Sequence, residues 1–306
     1  MPELPDITVY IEALEKRVLE KRLEKLIVGS PFLMRTAEPP ISFLEGKEVH
    51  ELRRLGKRIC FGFEDETWLV LHLMIAGRLH WKEGASVRKS ARAPKNQLAS
   101  FIFENGTLTL TEAGTQRRAS VHIIRGDANL NAFDRGGVEV LETDCETFAR
   151  ILNSENHTLK RSLTDPRFFS GIGNAYSDEI LWHAQLSPVA LTQKLTAEEI
   201  NRLFEATQST LKLWIERLRD HVLRSKSGFP EKVTAFRPEM AVHGKYQEPC
   251  SRCGSKIQRI RYASNETNYC PNCQTGGKLL ADRALSRLLR SDWPRTADGL
   301  EDLSSR

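Results

Sequence analysis

Four of the six cysteines stand in two close pairs, Cys250-x2-Cys253 and Cys270-x2-Cys273, with sixteen residues between the pairs. Thiolates at this spacing close a tetrahedral site around one zinc ion. A single pair would suit redox exchange; two pairs suit a metal. Four sulfur ligands leave no open coordination position, so the zinc is expected to be structural, not catalytic. The intervening residues are long enough for a two-stranded ribbon, whose strands and tip would carry Arg259, Arg261 and Asn265. Cys60 and Cys145 stand alone in apolar-rich segments and read as core thiols.

A second constellation is Gly171-Ile172-Gly173-Asn174, followed by Ala175-Tyr176-Ser177-Asp178-Glu179. Two glycines let the backbone approach a phosphate closely, and the amides at the start of the following helix favour an anion. Asn174 is expected to cap that helix. A plain tight turn between two helices would look the same.

These groups need a frame. The chain has 306 residues, enough for about two domains. Hydrophobic residues make up 40% and mean hydropathy is −0.41, so cores can form; no apolar run is long enough to span a membrane. The opening Met1-Pro2-Glu3-Leu4-Pro5-Asp6 lacks the basic and apolar stretches of a secretory signal, so the expected compartment is the cytoplasm and its nucleoid. Net charge is only +5, but residues 250–290 carry eight Lys/Arg against two acids. That basic module suggests a polyanionic partner; a solvated helix face is the alternative. Ile7, Ile11, Leu14 and Val18 recur at helical spacing after Pro5 and Asp6. From about Leu26 to Ile124, short β-rich runs such as Trp68–Leu73, Ser100–Phe103 and Leu108–Thr111 alternate with turn signals, among them Asn105-Gly106, a hairpin signature. This predicts a small antiparallel sandwich with a leading helix. Residues 83–96 read as a loop. After about Glu142 the pattern is helical, and Thr196 with Glu199 forms a capping box opening a helix to about Leu223.

The opening hexapeptide, the Gly171–Glu179 turn and the Cys250–Cys273 ribbon occur together, in this order, over roughly residues 1–290. In this the chain resembles the formamidopyrimidine-DNA glycosylase and endonuclease VIII family. The resemblance implies an α+β protein: an N-terminal antiparallel β-sandwich with a leading helix over 1–135, a helix–two-turn–helix domain over 136–240, a zinc ribbon over 241–290 and a polar tail over 291–306. It implies a bifunctional DNA glycosylase and lyase that acts on damaged double-stranded DNA as a monomer. Removal of Met1 would expose Pro2 as the nucleophile, with Glu3 as general acid/base and Lys57 assisting elimination. Lys160 and Asn174 match phosphate-contacting positions; Arg117 or Arg118 matches the arginine that fills the gap left by the extruded base. The chemistry is sound on its own: a chain-terminal amine has a pKa of about 8, against about 10.4 for lysine, so far more of it is a neutral nucleophile near pH 7. An adjacent carboxylate can move protons to the sugar oxygen.

Several positions depart from the family pattern. Asn265 stands where relatives carry a ribbon arginine, and Arg259 or Arg261 is a candidate replacement. Ile75 and Ala119 stand where purine-specific members use Met and Phe to fill the DNA gap. Lys95-Asn96-Gln97-Leu98 lacks a DNA-contacting histidine, and Asp6 replaces a common Glu. The preferred substrate reading is a modified or ring-opened purine, with an oxidised pyrimidine open. A non-catalytic zinc-ribbon protein binding nucleic acid, DNA or RNA, is the rival reading.

Overall fold

Helix α1 (Leu4–Val18) starts where Pro5 can enter a helix without losing a backbone bond, and Asp6 reaches back so that its Oδ2 accepts from the Glu3 N–H at 3.0 Å. Ile7, Ile11, Leu14 and Val18, the residues the periodicity marks, are all buried, and Tyr10 is buried with them. The computed structural model describes residues 1–84, 96–113, 117–230, 233, 236–262 and 265–280.

Eight strands follow: β1 (Leu23–Val28), β2 (Val49–Leu55), β3 (Arg58–Phe63), β4 (Thr67–His72), β5 (Gly77–Glu83), β6 (Gln97–Phe103), β7 (Gly106–Glu112) and β8 (Ser120–Arg125). They form two antiparallel four-stranded sheets, ordered β1-β6-β7-β5 and β2-β3-β4-β8. Period-two alternation sends one face of each sheet into a shared core, where the rings of Phe61 and Phe101 stack at 6.5 Å with Leu52, Leu69, Leu79, Leu108 and Val121 around them. The other face of the second sheet carries Cys60, Trp68 and Val70 against Leu130 of the short helix α2 (Asp127–Asn131), and the Trp68 indole donates to Asp127 at 3.1 Å.

Two sequence expectations change here. The β6–β7 hairpin stands where Glu104-Asn105-Gly106 predicts it, but it turns through Glu104 and Asn105, because Phe103 pairs with Gly106. Gly106 is the first residue of β7, and a Cβ there would lie 2.4 Å from the Trp81 ring; its glycine serves a close approach, not the turn. Cys145 is half-buried, at the start of α3 (Cys145–Leu152) with its thiol against Asn201, so it is not a core thiol; Cys60 is one. Most of the 83–96 loop, residues 85–95, lies outside the described residues.

The chain divides into two units, Met1–Arg135 with Leu213–Thr234, and Gly136–Lys212 with Ala235–Arg306. Helix α6 (Ala197–Arg224), opened by the predicted Thr196–Glu199 capping box, therefore ends in the first unit. There Arg219 binds Glu12 (Nε–Oε2 3.0 Å), Arg17 donates to the carbonyls of Ser227 and Gly228, and Phe229 packs on Tyr10 at 5.8 Å. The second unit holds α3, α4 (Leu159–Thr164) and α5 (Asn174–Ala184), then a two-stranded ribbon, β9 (Gln258–Tyr262) with β10 (Asn265–Tyr269), and α7 (Pro271–Thr275). The result is the α+β architecture expected: sandwich, helix–two-turn–helix and ribbon.

Candidate active site and nucleic-acid interface

In the first unit the chain terminus is drawn into the protein. Pro2 is buried and Glu3 is 2% exposed at the N-cap of α1. Burial holds the Met1 amine below its ordinary value, and the positive charges of Arg78 and Lys57 act in the same direction; Glu3 and Asp6 pull it back up. Lys57 lies in the two-residue turn Gly56-Lys57 between β2 and β3, where Gly56 takes φ +60, the backbone of a type II′ hairpin. Its charge also reaches His72, at the end of β4. Burial, Arg58, Lys57 and His122 push the His72 pKa down to about 4, so this imidazole is neutral at physiological pH. Sequence reading missed His72 and Arg78. Their signal was faint: both flank the tight turn Leu73–Gly77, where a Cβ on Gly77 would sit 2.2 Å from the Leu73 carbonyl oxygen.

That turn exposes Ile75 (61%), and Arg78 Nη1 donates to the Ile75 carbonyl at 3.2 Å. Arg117 and Arg118 are exposed in the segment between β7 and β8. Glu112, 2% exposed at the end of β7, fixes that segment by accepting from the N–H groups of Arg118 and Ala119, each at 3.0 Å. Ala119 is buried at 3% and ends in a methyl group, so it does not protrude as a wedge.

In the second unit two adjacent buried carboxylates organise the glycine turn. Asp178 Oδ1 binds Lys160 Nζ, while its Oδ2 meets His243 Nδ1 at 2.7 Å and accepts from the Asn268 N–H at 3.1 Å. Glu179 accepts from the N–H groups of Ala241, Val242 and His243 at 2.8–3.0 Å; burial still raises its pKa, and those three bonds oppose the rise. These acids tie α5 to the strand β10 and to the segment entering the ribbon. They sit among apolar residues in an α5 that is buried almost throughout, a pattern visible in the sequence but not exploited. Asn174 is corrected: Gly173 is the N-cap, and Asn174 is the first helical residue. Its side-chain amide donates to the Glu266 carbonyl at 2.9 Å because the ribbon strand lies within reach. Lys160 also donates to the Asn174 carbonyl at 2.7 Å, so the two predicted anion-binding residues are joined.

The four cysteines converge, with all Sγ atoms within 4.8 Å of one another. Four ligands at about 2.3 Å from a tetrahedral zinc stand about 3.8 Å apart; Cys250–Cys273 at 4.0 Å and Cys253–Cys270 at 3.4 Å fit that ion. The Trp182 indole donates to Cys250 Sγ at 3.3 Å, which anchors the site on α5. On the ribbon, Arg261 pairs across with Glu266 and Arg259 with Asn268. Alternation puts Asn265, with Ile260 and Thr267, on the opposite face. Arg261 therefore does not occupy the place that an arginine at 265 would.

Comparison with known proteins agrees with this geometry. Residues 1–120 match the model of the formamidopyrimidine-DNA glycosylase N-terminal domain, 138–224 that of the formamidopyrimidine-DNA glycosylase H2TH domain, and 247–276 that of a zinc finger found in FPG and IleRS. The four cysteines hold one structural zinc ion. The formamidopyrimidine-DNA glycosylase of Listeria innocua is 28% identical over 283 residues, covering 90% of this chain and 100% of its own. A Lactococcus lactis FPG mutant in complex with DNA containing Fapy-dG superposes with a TM-score of 0.77 at 28% identity, and wild-type Lactococcus lactis Fpg with DNA containing an oxidised pyrimidine gives the same values. Each pairing covers 90% of this chain and 100% of the other.

Proposed function

The chain belongs to the formamidopyrimidine-DNA glycosylase and endonuclease VIII family, and from that premise we propose that Pro2, freed by removal of Met1, is the nucleophile with which it attacks damaged DNA. The protein is a DNA glycosylase with AP lyase activity in base excision repair, and it binds DNA. The observation that carries the assignment of the nucleophile is the setting of Pro2: it is buried, it adjoins the buried Glu3, and the charges of Lys57 and Arg78 act on this end of the chain. A terminal amine placed there has a carboxylate beside it to move protons and reacts in its neutral form.

The steps follow from these groups. The Pro2 nitrogen bonds to C1′ as the C1′–base bond breaks, and the departing base takes a proton. Glu3 delivers a proton to the sugar ring oxygen, which opens the ring and leaves an iminium at C1′. Loss of a C2′ proton then expels the 3′ phosphate by β elimination, and water releases Pro2. Lys57 supports the elimination by holding the DNA phosphate. Lys160 and Asn174 grip phosphate in the second unit, and Ile75, Arg117 and Arg118 enter the gap left by the extruded nucleotide. Zinc supplies folding energy to the ribbon and takes no part in these steps.

The preferred lesion is a modified or ring-opened purine. An oxidised pyrimidine is the second reading, since the same fold holds such DNA in the Lactococcus lactis complex. We assign the enzyme to the cytoplasm as a monomer.

The test is borohydride trapping over a panel of lesion-bearing duplexes. Wild type should become covalently linked to DNA. Pro2→Gly, or a protein retaining Met1, should lose trapping while duplex affinity stays within about threefold, because many phosphate contacts share the binding. Full trapping by the Met1-retaining protein would end the proposal. No trapping of any duplex by the mature wild type would instead favour the non-catalytic reading.

A further inference from the structure

Glu266 is an acid on the arginine-bearing face of the ribbon. It stands directly opposite Arg261 in the β9–β10 register, and its Oε2 lies 3.9 Å from Arg261 Nε and 3.2 Å from Arg259 Nη1. Its main-chain carbonyl accepts from Asn174 Nδ2 at 2.9 Å. One residue thus joins the two ribbon arginines to the glycine turn proposed to hold phosphate. Its two arginines are unequal. Arg259 is also held over the Tyr246 ring at 3.9 Å and its side chain is 27% exposed. The Arg261 side chain is 61% exposed and sits at the outer limit of an ion pair. Of the two, Arg261 is therefore the more accessible to a phosphate and the less closely held by Glu266.

We infer that Glu266 is a positioning residue that acts as a built-in counter-anion: it occupies Arg261 on undamaged DNA and so weakens non-specific binding. A carboxylate facing the same two guanidinium groups competes with a DNA phosphate for them. On undamaged duplex the exchange gains little, because one charge-assisted contact only replaces another. Removing the carboxylate charge removes that competitor. The inference rests on the ribbon arginines facing DNA, as the proposed function has it.

The experiment is a double-mutant cycle with Glu266→Gln and Arg261→Gln in the zinc-loaded, full-length protein. Glutamine keeps the shape of the side chain and leaves the carbonyl bond to Asn174 in place. The readout is affinity for an undamaged duplex over a range of salt. Glu266→Gln should bind about two- to fivefold more tightly, the range an exposed ion pair covers. Its plot of log affinity against log salt should steepen by about 0.9, one further phosphate neutralised. Both effects should vanish when Arg261 is already Gln, where a general change in surface charge would persist. A gain of the same size in both backgrounds, or no gain in either, overturns the inference. Arg261→Gln alone separates the two levels of the argument. If it leaves the salt response untouched, the ribbon arginine does not face DNA. If it weakens binding while Glu266→Gln changes nothing, the interface stands and the role of Glu266 falls.

Discussion

His72 is a histidine the fold keeps neutral. Its pKa is about 4 in the folded chain, and the ordinary value of 6.5 applies once it unfolds, so below pH 6.5 the unfolded chain takes up a proton that the folded one refuses. The stability this confers is complete above pH 6.5 and is lost as pH falls toward 4, up to about 3 kcal/mol. His72→Asn should therefore lose less stability than wild type between pH 7 and 4.5. Urea midpoints at both values measure it, and equal losses would reject the account. A second residue-scale expectation concerns Asn265, which lies on the other face from Arg259 and Arg261. A neutral amide gives phosphate about 1 kcal/mol against about 1.5–3 for a charged donor. Wild type should give mainly the β-elimination product, and Asn265→Arg should raise the δ product without changing which base leaves, since phosphate contacts position and do not read. A denaturing gel resolves the two ends; a wild type giving chiefly the δ product refutes the expectation. The zinc cysteines were legible because their spacing encodes their own geometry. His72 was not, because its role comes from Arg58, Lys57 and His122, which only folding brings near; Glu112 and Glu266 were not, because their partners are a few residues off but meet them only through the turn after β7 and the β9–β10 register.

At the scale of elements, α1, the β-rich segment and α6 could be read from periodicity and capping, since each is specified locally by its own apolar stripe or alternation. What escaped was the use of single residues where elements touch: Gly106 yields to Trp81, and Asn174 turns from its own helix to Glu266. The ribbon shares a small apolar cluster with the zinc cysteines. Its core neighbours are Val242, Ile257 and Trp182 around Cys250 and Cys270. Chelation of zinc, or Cys270→Ala, should unfold it, and with it release the Asn268 and Glu266 bonds to α5. A gel shift on duplex DNA should then be lost, while far-UV helicity falls only slightly because the helices lie elsewhere. An undiminished shift after metal removal would show that the ribbon is not needed for binding.

At the scale of the whole molecule, the first unit is discontinuous: it needs Leu213–Thr234 as well as Met1–Arg135. Phe229 and Val233 belong to its core, and Arg219 satisfies Glu12 on α1. A fragment ending at Arg135 leaves Tyr10 without the Phe229 ring, so it should be less stable than the same fragment joined to residues 213–234 by a flexible linker. Loss of one buried aromatic alone costs about 3–5 kcal/mol. Thermal melts of the two proteins decide it, and equal midpoints would mean the returning segment adds nothing. The same discontinuity governs how the protein is born. The ribosome delivers α1 and the eight strands of the sandwich before the helical unit, and the pieces that complete their core begin roughly eighty residues after Arg135, about 4–16 s later at ordinary rates of synthesis. During that interval α1 and the two sheets exist without their last supports, and the helical unit is being made in between. The end of the chain that carries the proposed nucleophile therefore precedes, by the whole helical unit, the segment that completes the core around it.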